Sequence, residues 1–143
     1  MAKLGQIDLF TKRVRKPAAP LEFAFTAAVA DLLRWQVSPG WRWAHYPSGE
    51  NRDHKVDAKG RRWSPTGARL KRMGVQRGWP DFILIGPGGR GLHFLELKRR
   101  GKGRLSDEQE EFRDWCHAHG YPWFCTTSFE EVRLQLRSWG VIR

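Results

Sequence analysis

Cysteine is nearly absent from this chain: 143 residues contain two, Cys116 and Cys125. They form no CxxC and no disulfide framework, which points to a reducing, intracellular compartment, with the cytoplasm the expected location. No long apolar run, basic amphipathic helix or lipidation motif occurs, so a membrane-spanning or membrane-anchored protein is not expected. No secretory core follows Met1-Ala2-Lys3. A phosphate-binding GxxxxGK[ST] loop is missing, so no nucleotide cofactor is implied. The histidines show no zinc spacing: His117 and His119 near Cys116 lack a fourth ligand. There is no internal repeat.

Acidic residues are the other shortage. Fifteen Asp and Glu stand against 26 Lys and Arg, for a formal net charge of +11. Such an excess speaks of partners rather than of fold, and a polyanion, most simply nucleic acid, is the expected one. The imbalance is local. From Lys59 to Pro80 there are seven bases and no acid, and five more bases fall between Lys98 and Arg104. Residues 106–143 reverse the sign, with seven acids and four bases.

Residues 1–20 read as a flexible basic arm. The rest, residues 21–143, is expected to form one domain. Leu21, Phe25, Ala28, Val29, Leu32 and Leu33 carry helical spacing to about Gln36, after Pro20 at the helix entry. Residues 41–46 alternate weakly, as a strand would; residues 47–67 read as a long loop, followed by a short helix or turn over 68–73. Phe82–Ile85 is a continuous apolar run that fits a buried central strand, Gly86–Gly91 is turn chemistry, and Leu92–Lys98 is the returning strand. Ser106 opens a helix to about His119, residues 121–127 form a strand, and Ser128 opens a last helix near the end. The expected class is α/β, with a central mixed β-sheet flanked by helices.

The chemistry concentrates on the hairpin. Residues i and i+2 of a strand share a face, so Glu96 and Lys98 point together, away from Leu95 and Leu97. Asp81 precedes the partner strand, and the hairpin can bring it beside Glu96. Two neighbouring carboxylates repel, and a divalent cation such as Mg²⁺ relieves that repulsion. Such a cation polarises a phosphoryl oxygen and acidifies a bound water. Lys98 would then orient the water or stabilise charge on the phosphate. The alternative for Glu96 and Lys98 is a simple salt bridge on a half-exposed strand.

Pro80-Asp81 followed by Glu96-Leu97-Lys98 resembles the PD-(D/E)xK nuclease signature. With Gly74-Val75-Gln76-Arg77-Gly78-Trp79 upstream and Leu105-Ser106-Asp107-Glu108-Gln109 downstream, the chain is similar to the virus-type replication-repair nuclease domain, VRR-NUC, from about Leu21 to its end. The resemblance implies a restriction-endonuclease-like sandwich and a Mg²⁺- or Mn²⁺-dependent DNA endonuclease. It also implies structure selectivity of the junction-resolving kind, and a homodimer. Asp81 and Glu96 would be metal ligands, with the carbonyl of Leu97 a further one and Glu22 of the first helix joining them; Lys98 would be the catalytic lysine. A glutamine is expected four residues after that first-helix acid, where Thr26 stands.

Other candidates have two readings each. Glu22 also suits a helix's first turn electrostatically. Gln109 completes a capping box with Ser106, yet the resemblance places it in the active site. Arg69, Lys71, Arg72 and Arg77 before the site, and Arg99, Arg100, Lys102 and Arg104 after it, are candidates for phosphate contacts, which carry affinity without reading sequence. Of eight tryptophans, Trp35, Trp115, Trp123 and Trp139 are expected to be core or half-buried, Trp79 to pack beside the site, and Trp63 to offer a face for base stacking. Trp41, Trp43, His45 and Tyr46, with Glu50 beyond, match no motif. The competing functions are a non-catalytic nucleic-acid-binding module and a subunit of a larger nuclease assembly.

Overall fold

The computed structural model describes residues 21–47, 55–101 and 103–143, and the side chains of Leu21 and Glu22 fall outside that description. The basic arm, Glu50 and Lys102 also lie outside the described residues.

Ten elements follow one another: α1 (Leu21–Gln36), β1 (Arg42–His45), β2 (Lys55–Val56), β3 (Arg62–Trp63), α2 (Pro65–Arg72), β4 (Phe82–Gly86), β5 (Gly91–Leu97), α3 (Asp107–Ala118), β6 (Trp123–Thr126) and α4 (Phe129–Ser138). The main sheet has the order β1-β4-β5-β6. The first three strands are antiparallel neighbours, and β6 joins β5 in parallel. A parallel neighbour cannot be reached by a tight turn, so α3 forms the crossover between β5 and β6.

One sheet face buries Phe82 and Leu84 of β4 and Leu95 and Leu97 of β5 against Val29 and Leu33 of α1 and Val132 and Leu136 of α4. The opposite face carries Phe94, which meets Phe112 of α3 edge-on with ring centroids 5.1 Å apart. The result is a mixed sheet between helices, the α/β sandwich expected. β4 is central, as expected, but it is not buried along its whole length. Its outer-face residue Ile85 is 48% exposed, while α3 contacts β6 and Phe94 of β5.

The described residues of the expected loop over 47–67 include regular structure. β2 and β3 form a two-stranded ribbon, and α2 begins at Pro65, earlier than the spacing of residues 68–73 suggests. Ser64 is its N-cap, with its hydroxyl accepting from Gly67 N at 2.9 Å, and Pro65 takes the first helical position. Trp35, expected to be core or half-buried, is 85% exposed on the face of α1 turned from the core. Trp115 is half-buried, as expected, and stacks on Tyr121.

Gly78 joins the segment before β4 to α3. Its φ is +84°, and a Cβ there would sit 2.4 Å from the Glu108 carbonyl oxygen. Both the left-handed backbone and the backbone contact oppose a side chain. Gly78→Ala is expected to destabilise the protein by at least about 2 kcal/mol in denaturant unfolding. A loss below about 0.5 kcal/mol would show that this close approach is not maintained.

Candidate active site

The hairpin register sets the geometry. Phe82 pairs with Leu95 in antiparallel fashion, so Asp81, one step before, stands across from Glu96. The Asp81 carboxylate accepts a hydrogen bond from Leu97 N at 2.7 Å. Within a strand residue the N–H and C=O point to the same side, so the Leu97 carbonyl also faces Asp81. The main chain at Asp81 is held from β1. Its carbonyl accepts from Tyr46 N at 2.8 Å and from His45 Nδ1 at 2.8 Å, which places the imidazole proton on Nδ1. Tyr46 also receives Gln76 N on its hydroxyl at 3.0 Å and packs on Trp79, with centroids 5.6 Å apart. Trp79 therefore packs beside the site, as expected. His45 and Tyr46 are the positioning residues that the sequence did not reveal; a strand end that pins a distant carbonyl leaves no local signature.

Glu96 is 3% exposed. Its Oε1 accepts from Lys98 Nζ at 2.8 Å and from Gln109 Nε2 at 2.6 Å. The Gln109 Oε1 in turn accepts from Lys98 Nζ at 2.6 Å and from Ser106 N at 3.0 Å. The Ser106 amide can only donate, so it fixes the orientation of the Gln109 amide and turns Nε2 toward Glu96. Ser106 Oγ completes the capping box by accepting from Gln109 N at 3.3 Å. The two readings of Gln109 are thus one arrangement: the cap of α3 is what aims its side chain at Glu96 and Lys98. Ser128, by contrast, only caps α4 by accepting from Glu131 N at 3.4 Å, and the Glu131 carboxylate accepts from the Thr126 hydroxyl.

Burial pushes the Glu96 carboxyl up to about 7, the Asp81 charge adds to this, and Lys98 opposes it. Cys125 pairs with Glu96 in the β5–β6 register. Burial, with Glu96 adding to it, pushes its thiol up to about 11, so this neighbour is a neutral thiol near neutral pH.

Among the described residues, no group of three or more His, Cys, Asp or Glu side chains converges. The carboxylates brought together are Asp81 and Glu96. The backbone of Glu22 lies in the first turn of α1, and its side chain is outside the described residues.

The basic candidates separate. Trp63, Lys71 and Arg77 line one cleft of about 1090 Å³ with Arg62, Gln76 and Glu108. Glu108 on its wall is the chain neighbour of Gln109, so the first turn of α3 links the cleft to the carboxylates. Arg69 and Arg72, also candidates for phosphate contacts, are not among the residues that line this cleft. At about 100° of rotation per helical residue they point about 200° and 100° away from Lys71. Arg99, Arg100 and Arg104 are exposed in the segment between β5 and α3.

The fold is an α/β sandwich whose central hairpin brings two carboxylates across its register, with a lysine two residues beyond the second. A VRR_NUC domain protein of known structure is similar over 85% of this chain and 88% of its own, with a TM-score of 0.60 and 22% sequence identity. The chain has the VRR-NUC fold. No protein-family model and no curated protein matches it by sequence. No helix among the described residues is long and apolar enough to cross a membrane.

Proposed function

We propose that this protein is a divalent-metal-dependent, structure-selective DNA endonuclease of the junction-resolving kind. The observation that carries the reading is the Asp81–Glu96 pair, held across the hairpin register with Lys98 and Gln109 within 2.8 Å of a buried Glu96 oxygen. The VRR-NUC fold supports it.

The donors fit a hard cation. Two carboxylates and a main-chain carbonyl offer oxygen only, and Glu96 stays raised by burial and by the Asp81 charge even with Lys98 beside it, a condition a divalent cation would relieve. Asp81, Glu96, the Leu97 carbonyl and Glu22 would hold Mg²⁺ or Mn²⁺. The cation would supply Lewis acidity to a phosphoryl oxygen and a more acidic water. Lys98 has three N–H donors, and Glu96 and Gln109 engage two of them. The third would orient the attacking water or meet a non-bridging phosphate oxygen. Gln109 keeps the ammonium from collapsing wholly onto Glu96. Lys71, Arg77 and the exposed bases after Lys98 would hold the DNA backbone, independently of sequence. A two-fold dimer would supply two sites for the two strands of a junction.

The test is cleavage of labelled single-stranded, duplex, flap and four-way-junction DNA in Mg²⁺, Mn²⁺ or EDTA, beside Asp81→Ala. Metal-dependent cutting that the variant loses is the expected result. Binding without turnover in any metal would instead make the chain a non-catalytic nucleic-acid-binding module, or a subunit awaiting its assembly.

Gln109 and Ser106 separate cap from chemistry. Gln109→Ala is expected to lower the cleavage rate about 10- to 100-fold with metal-free DNA binding unchanged. Ser106→Ala, which keeps the amide that orients Gln109, costs about 1 kcal/mol of stability and much less activity. Equal activity losses in the two variants would mean that Gln109 only caps the helix.

A further inference from the structure

The cleft beside the carboxylates is a built site, not a gap between loops. Trp63 ends the β2–β3 ribbon, and the turn of that ribbon is locked by Asp57, whose Oδ1 accepts from Lys59 N at 2.9 Å and Arg61 N at 2.8 Å while Oδ2 accepts from Arg61 Nε at 2.9 Å. The next residue, Ser64, caps α2. Trp63 is therefore fixed between a locked turn and a capped helix, yet it remains 49% exposed and lines the cleft. Its backbone is anchored on both sides, and a large apolar ring left half-exposed in a cleft is costly to leave in water. Around it stand Arg62, Lys71 and Arg77 against a single acid, Glu108.

An aromatic platform inside a cationic cleft is the combination that holds single-stranded nucleic acid. In continuous duplex each base face is covered by its neighbours, which leaves nothing for the indole to stack on. An unpaired base has a free face. We infer that this cleft is a subsite for an unpaired nucleotide of the substrate, its base stacked on Trp63 and its flanking phosphates met by Arg62, Lys71 and Arg77. The inference rests on the nuclease reading for its substrate. It adds to that reading a contact away from the scissile phosphate, joined to the catalytic residues through the first turn of α3.

The experiment is binding in EDTA, by fluorescence anisotropy, in an Asp81→Asn background. The probes are labelled oligothymidylate and a labelled, relaxed, covalently closed circular duplex, which has neither ends nor unpaired loops. Trp63→Ala is expected to weaken oligothymidylate binding from several-fold to about a hundredfold, with the closed circle changed less than about twofold. Trp63→Phe is expected to restore most of the affinity, which a loss of folding would not permit. No change with oligothymidylate, or equal weakening of both probes, would overturn the subsite. The two readings fail separately. If the wild-type chain cuts no DNA while the Trp63 dependence holds, the nuclease reading falls and the subsite stands. If cutting is intact and Trp63→Ala binds oligothymidylate as before, the subsite alone falls.

Discussion

Asp81→Asn is expected to reduce DNA cleavage by at least about a thousandfold while leaving the fold and metal-free DNA binding intact. The substitution suits the geometry. One Asp81 oxygen accepts from Leu97 N at 2.7 Å, and the carbonyl oxygen of asparagine can do the same. What disappears is the negative charge, and with it the oxygen that a divalent cation would use. Removing that charge also relieves Glu96, so the variant should be no less stable than the parent at neutral pH. Lys98→Ala should be equally inactive but less informative. It strips the ammonium from a carboxylate that is 3% exposed, and breaking a buried pair by removing one partner typically costs about 3–5 kcal/mol. The measurements are single-turnover cleavage in Mg²⁺, anisotropy in EDTA and urea unfolding, side by side. An Asp81→Asn rate within about tenfold of wild type would remove Asp81 from the chemistry. Loss of folding and binding in proportion to activity would make its role structural.

The second large effect is on stability, with no DNA present. The Glu96 carboxyl ordinarily titrates at 4.5 and is raised to about 7 in the folded protein. For an acid raised on folding, the native state binds more protons than the unfolded chain between those two values, so stability falls as pH rises through that window. The contribution is fully present below about 4.5 and lost as pH passes 7. Its size is on the order of 3 kcal/mol. Metal-free protein should therefore unfold at lower urea near pH 8 than near pH 5. Glu96→Gln should flatten the profile, because the amide keeps an oxygen for Lys98 and carries no charge. The comparison with Glu96→Gln also isolates this effect from the general repulsion of a chain with net charge +11, which eases as pH rises and has the opposite sign. Mg²⁺ should restore stability near pH 8 in the wild type and much less in Glu96→Gln. A flat wild-type profile in EDTA would contradict the burial of a strained carboxylate at this position.

How much of this was legible beforehand depends on how local the signal is. The spacing of Phe25, Val29, Leu32 and Leu33 places α1, Ser106 and Ser128 open α3 and α4, and the glycine-rich turn sets up the hairpin. The period of two on β5 is enough to put Glu96 and Lys98 on one face, and their 2.8 Å ion pair follows from it. Charge counts pointed to a basic cleft, although helical rotation removed Arg69 and Arg72 from it. The β2–β3 ribbon was not legible, since strands of two residues are too short to show alternation and a locked Asp57 turn resembles any polar loop. The exposure of Trp35 was not legible either, because an aromatic side chain on a helix carries no label for the face that the neighbouring elements will cover.

The sequence by itself determined the α/β class, the four strands of the main sheet, α1, α3 and α4 with the caps of the last two, the basic character of the surface, and the acid, acid and lysine of the hairpin. These follow from patterns repeated every two to four residues, which short-range sterics and hydrogen bonds enforce. Only the tertiary structure decided that Asp81 stands opposite Glu96, that the carbonyl of Asp81 is pinned by His45 and Tyr46, and that Gln109 caps its helix and grips Glu96 and Lys98 at once. Those relations depend on strand register and on the path of the α3 crossover. Both are settled by burying one sheet face against α1 and α4, a global minimum to which no single stretch of sequence points.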